Sequence, residues 1–314
     1  MTKWFVTGGA GFIGSHVVDA LVCRGDQVVV FDDLSTGTAA NLEGSSAELI
    51  EADLRDFEAV RRAMTGCTHV VHLGALGSVP RSIADPISTN AVNVDGTLNV
   101  LVAARDAGID RVVYASSSSI YGNTPTLPKH EGMSFSPRSP YALSKVTGEE
   151  YGRIFCDVYA MSVVALRFFN VFGPRQRPDS QYAAVIPRWI DCLMKGESPV
   201  VFGDGGQTRD FTYVANNVEA VIAASLAEAK FVAGRSFNIA CGSRFSLLDL
   251  LGQLNAALGT NIDPVFAEPR SGDVRDSHAA IAAAHESFGY NPKVNFEEGI
   301  VDTVEWFRSY TKRT

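Results

Sequence analysis

The stretch Thr7-Gly8-Gly9-Ala10-Gly11-Phe12-Ile13-Gly14 follows the apolar run Trp4-Phe5-Val6 and leads into a helical pattern over Ile13–Arg24. It contains G-x-G-x-x-G at Gly9, Gly11 and Gly14. Without side chains the backbone can turn tightly after a strand and come close to a ligand. The unpaired N–H groups at the start of the helix then favour an anion such as a pyrophosphate. A strand, a glycine turn and a helix in that order require a crossover connection and hence a parallel sheet.

The rest of the first half keeps this rhythm. Strands are expected at Lys3–Thr7, Gln27–Phe31, Ala47–Glu51, His69–Leu73, Arg111–Ser116 and Val163–Phe168. Helices are expected at Ile13–Arg24 (closed by Gly25), Phe57–Met64, Asn90–Ala107 and around Tyr141–Asp157. Buried β-branched strands alternating with helices predict a parallel, doubly wound sheet. After Phe169 the texture changes. The segment 170–182 is rich in Pro, Gly, Arg and Asp and reads as a ligand-contacting loop. A helix over Val214–Ala229 and a strand at Ser236–Ala240 should return to the sheet. Amphipathic helices at Leu247–Leu258 and Gly299–Tyr310 should build a smaller C-terminal lobe. The expected division is 1–169 plus 214–240 for the nucleotide domain, and 170–213 plus 241–314 for the lobe.

Bulk properties narrow the function. With 314 residues, 46% hydrophobic and 20% charged, the chain can bury a sizeable core. A net charge of −8, from 27 basic and 35 acidic residues, lacks the basic excess of a nucleic-acid binder. No apolar run approaches the ~20 residues of a membrane span, and no signal-peptide layout follows Met1. The five cysteines are scattered without a CxxC pair, so neither disulfides nor a metal site is expected. They are read as small buried hydrophobes in a reducing cytoplasm.

Two features point to chemistry. Asp32 ends the second strand, 18 residues after Gly14. A carboxylate there accepts hydrogen bonds from ribose hydroxyls and repels a 2′-phosphate, which favours NAD over NADP. The second feature is Tyr141-Ala-Leu-Ser-Lys145. Residues four apart share a helix face, and an ammonium beside a phenol favours the phenolate. Such a pairing could bring a group that titrates near pH ~10 into use as a base near neutrality.

With these in hand, the chain resembles the extended short-chain dehydrogenase/reductase family, and within it the NAD-dependent nucleotide-sugar 4-epimerases. The resemblance implies a Rossmann-like doubly wound α/β sheet with a smaller C-terminal α/β substrate lobe. Its Tyr-x-x-x-Lys is Tyr141 and Lys145. Its third catalytic position, a Ser or Thr four residues before Tyr121-Gly122, is Ser117. The implied cofactor site takes Gly8, Gly11, Phe12 and Ile13 from the glycine loop, and Asp32, Asp33, Ser35, Thr36 and Gly37 after the second strand. It adds the adenine-contacting pair Asp53-Leu54, the strand end Leu73-Gly74-Ala75 (many relatives carry Ala at position 74), and Asn93, Ser116, Phe168, Tyr141 and Lys145.

The implied substrate site comprises Ser78, Val79, Ser117, Ser118, Asn170, Ala184, Val185, Arg209, Arg270, Asp273 and Ser277. Arginines here suit the planar recognition of phosphate, and Asp273 would hold the nucleoside ribose. Related 4,6-dehydratases carry an Asp-Glu pair after the catalytic Thr, and related decarboxylases a Glu nearby. Ser118 and Ser119 stand there instead, which predicts oxidation and re-reduction at one carbon. Ser277, seven residues after Arg270, occupies a position that gates the sugar pocket in this family. A small residue there predicts UDP-GlcNAc/UDP-GalNAc interconversion with some UDP-Glc/UDP-Gal activity. The segments 77–82 and 182–187 resemble the same group. Glucuronate remains an alternative sugar, with Arg175, Arg177 and Arg188 as carboxylate partners, as do dehydratase and decarboxylase chemistries. The resemblance also implies a homodimer through the helices over Asn90–Ala107 and Tyr141–Asp157.

Overall fold

The computed structural model describes residues 2–177, 184–269 and 275–311. Six strands form in the first half: β1 (Lys3–Thr7), β2 (Gln27–Asp32), β3 (Glu48–Glu51), β4 (His69–His72), β5 (Arg111–Ser117) and β6 (Val163–Phe168). The chain next makes the short strands β7 (Val171–Phe172), β8 (Val200–Phe202), β9 (Thr208–Arg209) and β10 (Thr212–Tyr213). Then β11 (Ser236–Ile239) pairs parallel with β6, Phe237 opposite Leu166. The large sheet runs β11-β6-β5-β4-β1-β2-β3, all parallel. Strand order reverses between β1 and β4, the switch point where such sheets bind ligands beyond their carboxyl ends.

Alternation along each strand splits the core. Trp4, Val6, Val28, Val30, Val71 and Val113 pack on one face with α1 (Phe12–Cys23) and, later in the chain, the helix over Val214–Leu226. Phe5, Val29, Phe31, Val70 and Val112 pack on the other, with α2 (Phe57–Ala63) and the helix over Gly96–Asp106. A period of two puts successive side chains on opposite faces, so a sheet covered on both sides needs continuous apolar runs. The doubly wound α/β class expected from the sequence is therefore the one observed.

Several boundaries differ from expectation. The helix expected over 90–107 is broken. After α3 (Val79–Ala84) comes α4 (Pro86–Asn90), then a π-helical turn at Ala91–Asp95, then α5 (Gly96–Asp106). The wide turn is held by tertiary bonds. Asn93 accepts from the Leu76 N–H at 2.8 Å and donates to Ser144 Oγ at 3.1 Å. Such bonds leave no mark on local periodicity. The next helix, α6 (Pro140–Tyr159), begins at a Ser139 cap that accepts from the Ala142 N–H, as hydroxyl caps do.

In the second half come α7 (Val185–Met194), which was not expected from the sequence, α8 (Val214–Leu226) and the short α9 (Ala229–Val232). The helix expected to reach Ala229 therefore ends at Leu226. Next are β12 (Phe245–Ser246), α10 (Leu247–Leu258), β13 (Val265–Ala267), α11 (Ala282–Phe288) and α12 (Phe296–Thr311). The segment expected as a plain loop after Phe169 contributes β7, which pairs with β10. Trp189, Phe211, Leu250, Leu254, Ile300 and Phe307 form a separate apolar core among these elements.

The cysteines correct an expectation. Only Cys67 is buried, Cys23 is exposed, and all five are free thiols. Among the described residues no helix is long and apolar enough to cross a membrane.

Candidate active site

A cleft of about 780 Å³ opens at the carboxyl ends of the strands, over the β1/β4 switch point. The glycine loop forms one wall. Gly8 lies in the left-handed region at φ +67°, and an added Cβ would stand 2.8 Å from Gly74 Cα. A Cβ on Gly14 would overlap the Gly8 carbonyl oxygen. So glycines 8 and 14 serve a real close approach between the loop, the start of α1 and the end of β4.

Asp32 closes this end. Its Oδ2 accepts from the Ala10 N–H at 3.0 Å and its Oδ1 from the Leu34 N–H at 2.9 Å. Burial pushes its carboxyl up, and these backbone donors pull it back. Each oxygen keeps a lone pair for a ribose hydroxyl. Asp33 Oδ1 holds Ser35 at 2.6 Å. Asp53 is held by Arg55, Nε to Oδ1 at 2.9 Å, and this pairing lowers its pKa. The loop fits a pyrophosphate, Asp32 a ribose, and the side of the cleft near Asp53-Leu54 a flat base. The residues therefore fit NAD.

The cleft's other end holds Ser117, Tyr141 and Lys145. Tyr141 and Lys145 stand one turn apart on α6, and Ser117 ends β5. Tyr141 and Ser117 both line this end of the cleft, and the Ser117 side chain draws the Tyr141 pKa down. Lys145 is 4% exposed, and its Nζ donates to the Ala115 carbonyl at 2.8 Å. That Nζ stands 5.0 Å from the Tyr114 ring centre and 5.8 Å from that of Tyr141. Burial drives the Lys145 ammonium down from its usual value to about 8, against the opposing charge of Glu149.

The phenol departs from expectation. Burial pushes the Tyr141 pKa up, and only the Ser117 hydrogen bond works against this. Sequence spacing predicts that Lys145 lowers it. In the folded protein the ammonium faces the Ala115 carbonyl, and desolvation wins.

Nearly all the expected cofactor residues meet here. Gly8, Gly11, Phe12, Ile13, Asp32, Asp33, Ser35, Thr36, Asp53, Leu54, Leu73, Gly74, Ala75, Ser116, Tyr141, Lys145 and Phe168 line the cleft. Two do not. Gly37 packs behind the loop, where a Cβ would be 2.8 Å from the Ala10 carbonyl carbon. Asn93 is 1% exposed and reaches the cleft only through Leu76. Of the expected substrate residues, Ser78, Val79, Ser117, Ser118, Asn170 and Ala184 line the cleft.

Val185 and Arg209 line a neighbouring cavity of about 290 Å³, with Trp189, Phe202 and Phe211. The two spaces share Asn170, Val171, Gln176 and Ala184. Arg209 Nη1 donates to the Thr208 and Arg275 carbonyls. Ser277 lines neither space, but its Oγ accepts from Asn170 Nδ2 at 3.3 Å, which sets it at the rim. Arg270 and Asp273 lie outside the described residues, as do positions 178–183. Sequence reading missed Asn41, whose Nδ2 donates to the Ala10 carbonyl at 2.9 Å, and Arg81. Both line the cleft, and neither carries a local spacing signal.

A sequence model described as the NAD dependent epimerase/dehydratase family matches residues 4–240. The UDP-glucose 4-epimerase of Mycolicibacterium smegmatis is 39% identical over 98% of this chain and 99% of its own length. Among solved structures, the UDP-N-acetylglucosamine 4-epimerase from Methanobrevibacter ruminantium M1, in complex with UDP-N-acetylmuramic acid, is 39% identical with a TM-score of 0.93, covering 98% of this chain and 99% of that one. The UDP-glucose 4-epimerase of Thermus thermophilus, complexed with NAD, is 36% identical with a TM-score of 0.89, at 98% and 99% coverage. With a glycine loop, a ribose-facing Asp32 and a Ser117–Tyr141–Lys145 group sharing one cleft, the chain belongs to the NAD-dependent epimerase/dehydratase family, and NAD is its cofactor.

Proposed function

We propose that this protein is a UDP-sugar 4-epimerase that inverts C4 through a transient 4-keto sugar, acting on UDP-GlcNAc/UDP-GalNAc and, less selectively, on UDP-Glc/UDP-Gal. The observation that carries the reading is the meeting of Ser117, Tyr141 and Lys145 at one end of the cleft, with hydroxyls rather than acids at Ser118 and Ser119. Bound NAD supplies a reversible hydride acceptor.

The chain's residues handle the proton. Tyr141 takes the proton of the 4-hydroxyl as a phenolate and returns it later. Ser117 bonds the same oxygen and passes the proton to the phenol. Lys145 contributes a buried positive charge beside the Tyr114 and Tyr141 rings. With no carboxyl at 118 or 119, nothing there can expel a hydroxyl from C6, so the chemistry stays at one carbon. The two connected spaces suit the two halves of the substrate: sugar in the cleft, nucleoside against Trp189 and Phe211, phosphates near Asn170 and Arg209. Domain division at 1–169 plus 214–240, against 170–213 plus 241–314, is part of this reading. It makes the smaller lobe the nucleotide-sugar holder.

Incubation with UDP-Glc, UDP-GlcNAc or UDP-GlcA, without added NAD, tests the proposal. NMR should show the C4 epimer of UDP-GlcNAc. An accumulating keto-sugar or released CO2 would instead assign dehydratase or decarboxylase chemistry. Epimerisation of UDP-GlcA alone would assign the glucuronate reading, with Arg175 and Arg177 on the cleft wall as carboxylate partners.

Ser277 accounts for the sugar preference. Replacing it with Tyr fills the rim beside Asn170. Activity on UDP-GlcNAc should fall by roughly ten- to a hundredfold, with UDP-Glc activity retained. Equal activity on both sugars after the change would remove Ser277 from the account.

Lys145 predicts the pH response. Its value is lowered in the fold, so the ammonium is complete below about 8 and is lost as pH rises through it. If turnover uses that charge, kcat declines on the alkaline side of about pH 8. A kcat that still climbs two pH units further up would contradict this.

A homodimer is also proposed. Leu143, Ile154 and Val158 form an exposed apolar stripe on α6, and Ile87 on α4 is 82% exposed. Pairing α6 and the α4–α5 region of two copies would cover them. Sedimentation at the mass of two chains is expected, and a monomer would refute it.

A further inference from the structure

A buried charged network behind the cleft has no part in the chemistry above. Glu149 and Arg167 form an ion pair with both side chains under 5% exposed. Arg167 Nε donates to Glu149 Oε1 at 3.0 Å and Nη2 to Oε2 at 2.7 Å. Arg167 Nη1 donates to the Tyr121 hydroxyl at 2.7 Å, which donates to Asn238 Oδ1 at 2.7 Å. Ser236 Oγ donates to Glu149 Oε2 at 2.9 Å. The network therefore spans the neighbouring strands β6 and β11 and reaches the turn after β5. Its most direct link is to the candidate site: the Ser116 hydroxyl donates to Glu149 Oε1.

Spacing gives that link its meaning. Tyr141, Lys145 and Glu149 are four residues apart and lie on one stripe of α6. Two of them grip the end of β5, Lys145 through the Ala115 carbonyl and Glu149 through the Ser116 side chain. Two successive turns of the helix hold two successive residues of the strand, and the turn before them sets Tyr141 in the same cleft end as Ser117. Gly148, beside Glu149, lets α6 approach. A Cβ there would overlap the Tyr114 ring on the same strand.

We infer that Glu149, braced by Arg167, is a positioning residue: by holding the Ser116 hydroxyl it locks the end of β5 against α6, so that Ser117 meets the Tyr141 phenol in reacting geometry. This rests on the reading of Ser117 and Tyr141 as the proton-handling pair. The clamp needs a rigid carboxylate, and Arg167 makes it rigid. A bidentate guanidinium fixes the orientation of both oxygens. Other groups facing the clamp are the Lys145 ammonium on α6, Tyr114 on β5 and the Tyr121 phenol after β5. The carboxylate takes its ion-pair hydrogen bonds from Arg167.

Two variants test it while keeping both buried charges. Ser116→Ala removes the gripped hydroxyl. Glu149→Asp keeps the charge but withdraws it by one methylene. Misplacing a reacting group by an ångström can cost a hundredfold, so each should lower kcat by about ten- to a hundredfold. At saturating NAD the loss should fall on kcat rather than KM, and Ser116→Thr should recover most of kcat. Wild-type kcat in either variant would overturn the inference. So would a Ser116→Ala loss that appears as weakened NAD binding. An inactive wild type would instead defeat the epimerase reading and be seen before any variant is made.

Discussion

Tyr141→Phe should lower kcat by roughly 10²–10⁴-fold, the range over which a positioned acid–base group contributes. The substitution removes one oxygen and keeps the ring. Tyr141 is half-buried, so the folded chain loses little more than the phenol's polar interaction with the Ser117 side chain. Melting temperature and NAD binding should change little. The collapse should fall on kcat rather than KM, because the phenolate acts on the transferring proton. Rapid turnover by Tyr141→Phe would move the base elsewhere, with the Ser117 hydroxyl the nearest group left to serve.

Arg167→Leu should produce the largest loss of stability, about 3–5 kcal/mol, because removing one partner of a buried pair leaves the other charge uncompensated. Glu149, 5% exposed, would retain only the hydroxyls of Ser116 and Ser236. The Arg167 side chain also stacks against Tyr121 and Phe135, its guanidinium carbon 5.2 and 5.4 Å from their ring centres. A drop in melting temperature of about 5–15 °C is expected, read by calorimetry or a denaturant midpoint. Glu149→Gln together with Arg167→Leu should recover part of that loss, since no charge is then left alone. A single variant as stable as the wild type would mean that water reaches this network.

How much of this could be read from the chain varies element by element. Thr7–Gly14 with Asp32, and the βαβ rhythm around them, were legible because they are local. Glycine spacing, a period of two and a period of 3.6 each sit within a few turns of sequence. Tyr141 and Lys145 were legible for the same reason, as was the strand character of Ser236–Ile239. The π-turn at Ala91–Asp95 was not, because Asn93 is held by Leu76 and Ser144, residues 17 and 51 positions away. Nor was α7, whose residues fell beside a segment dominated by loop-like composition.

By itself the sequence determined the sheet class and the cofactor loop, and it singled out Tyr141 and Lys145 as candidates, since each depends on residue type at short spacing. Tertiary structure decided how those groups behave. Packing α6 onto β5 through Gly148 buries Lys145 and lowers its pKa to about 8. The same packing pushes the Tyr141 pKa up and brings Glu149 onto Ser116. Desolvation and long-range hydrogen bonds arise only when distant segments meet, and no local pattern encodes them.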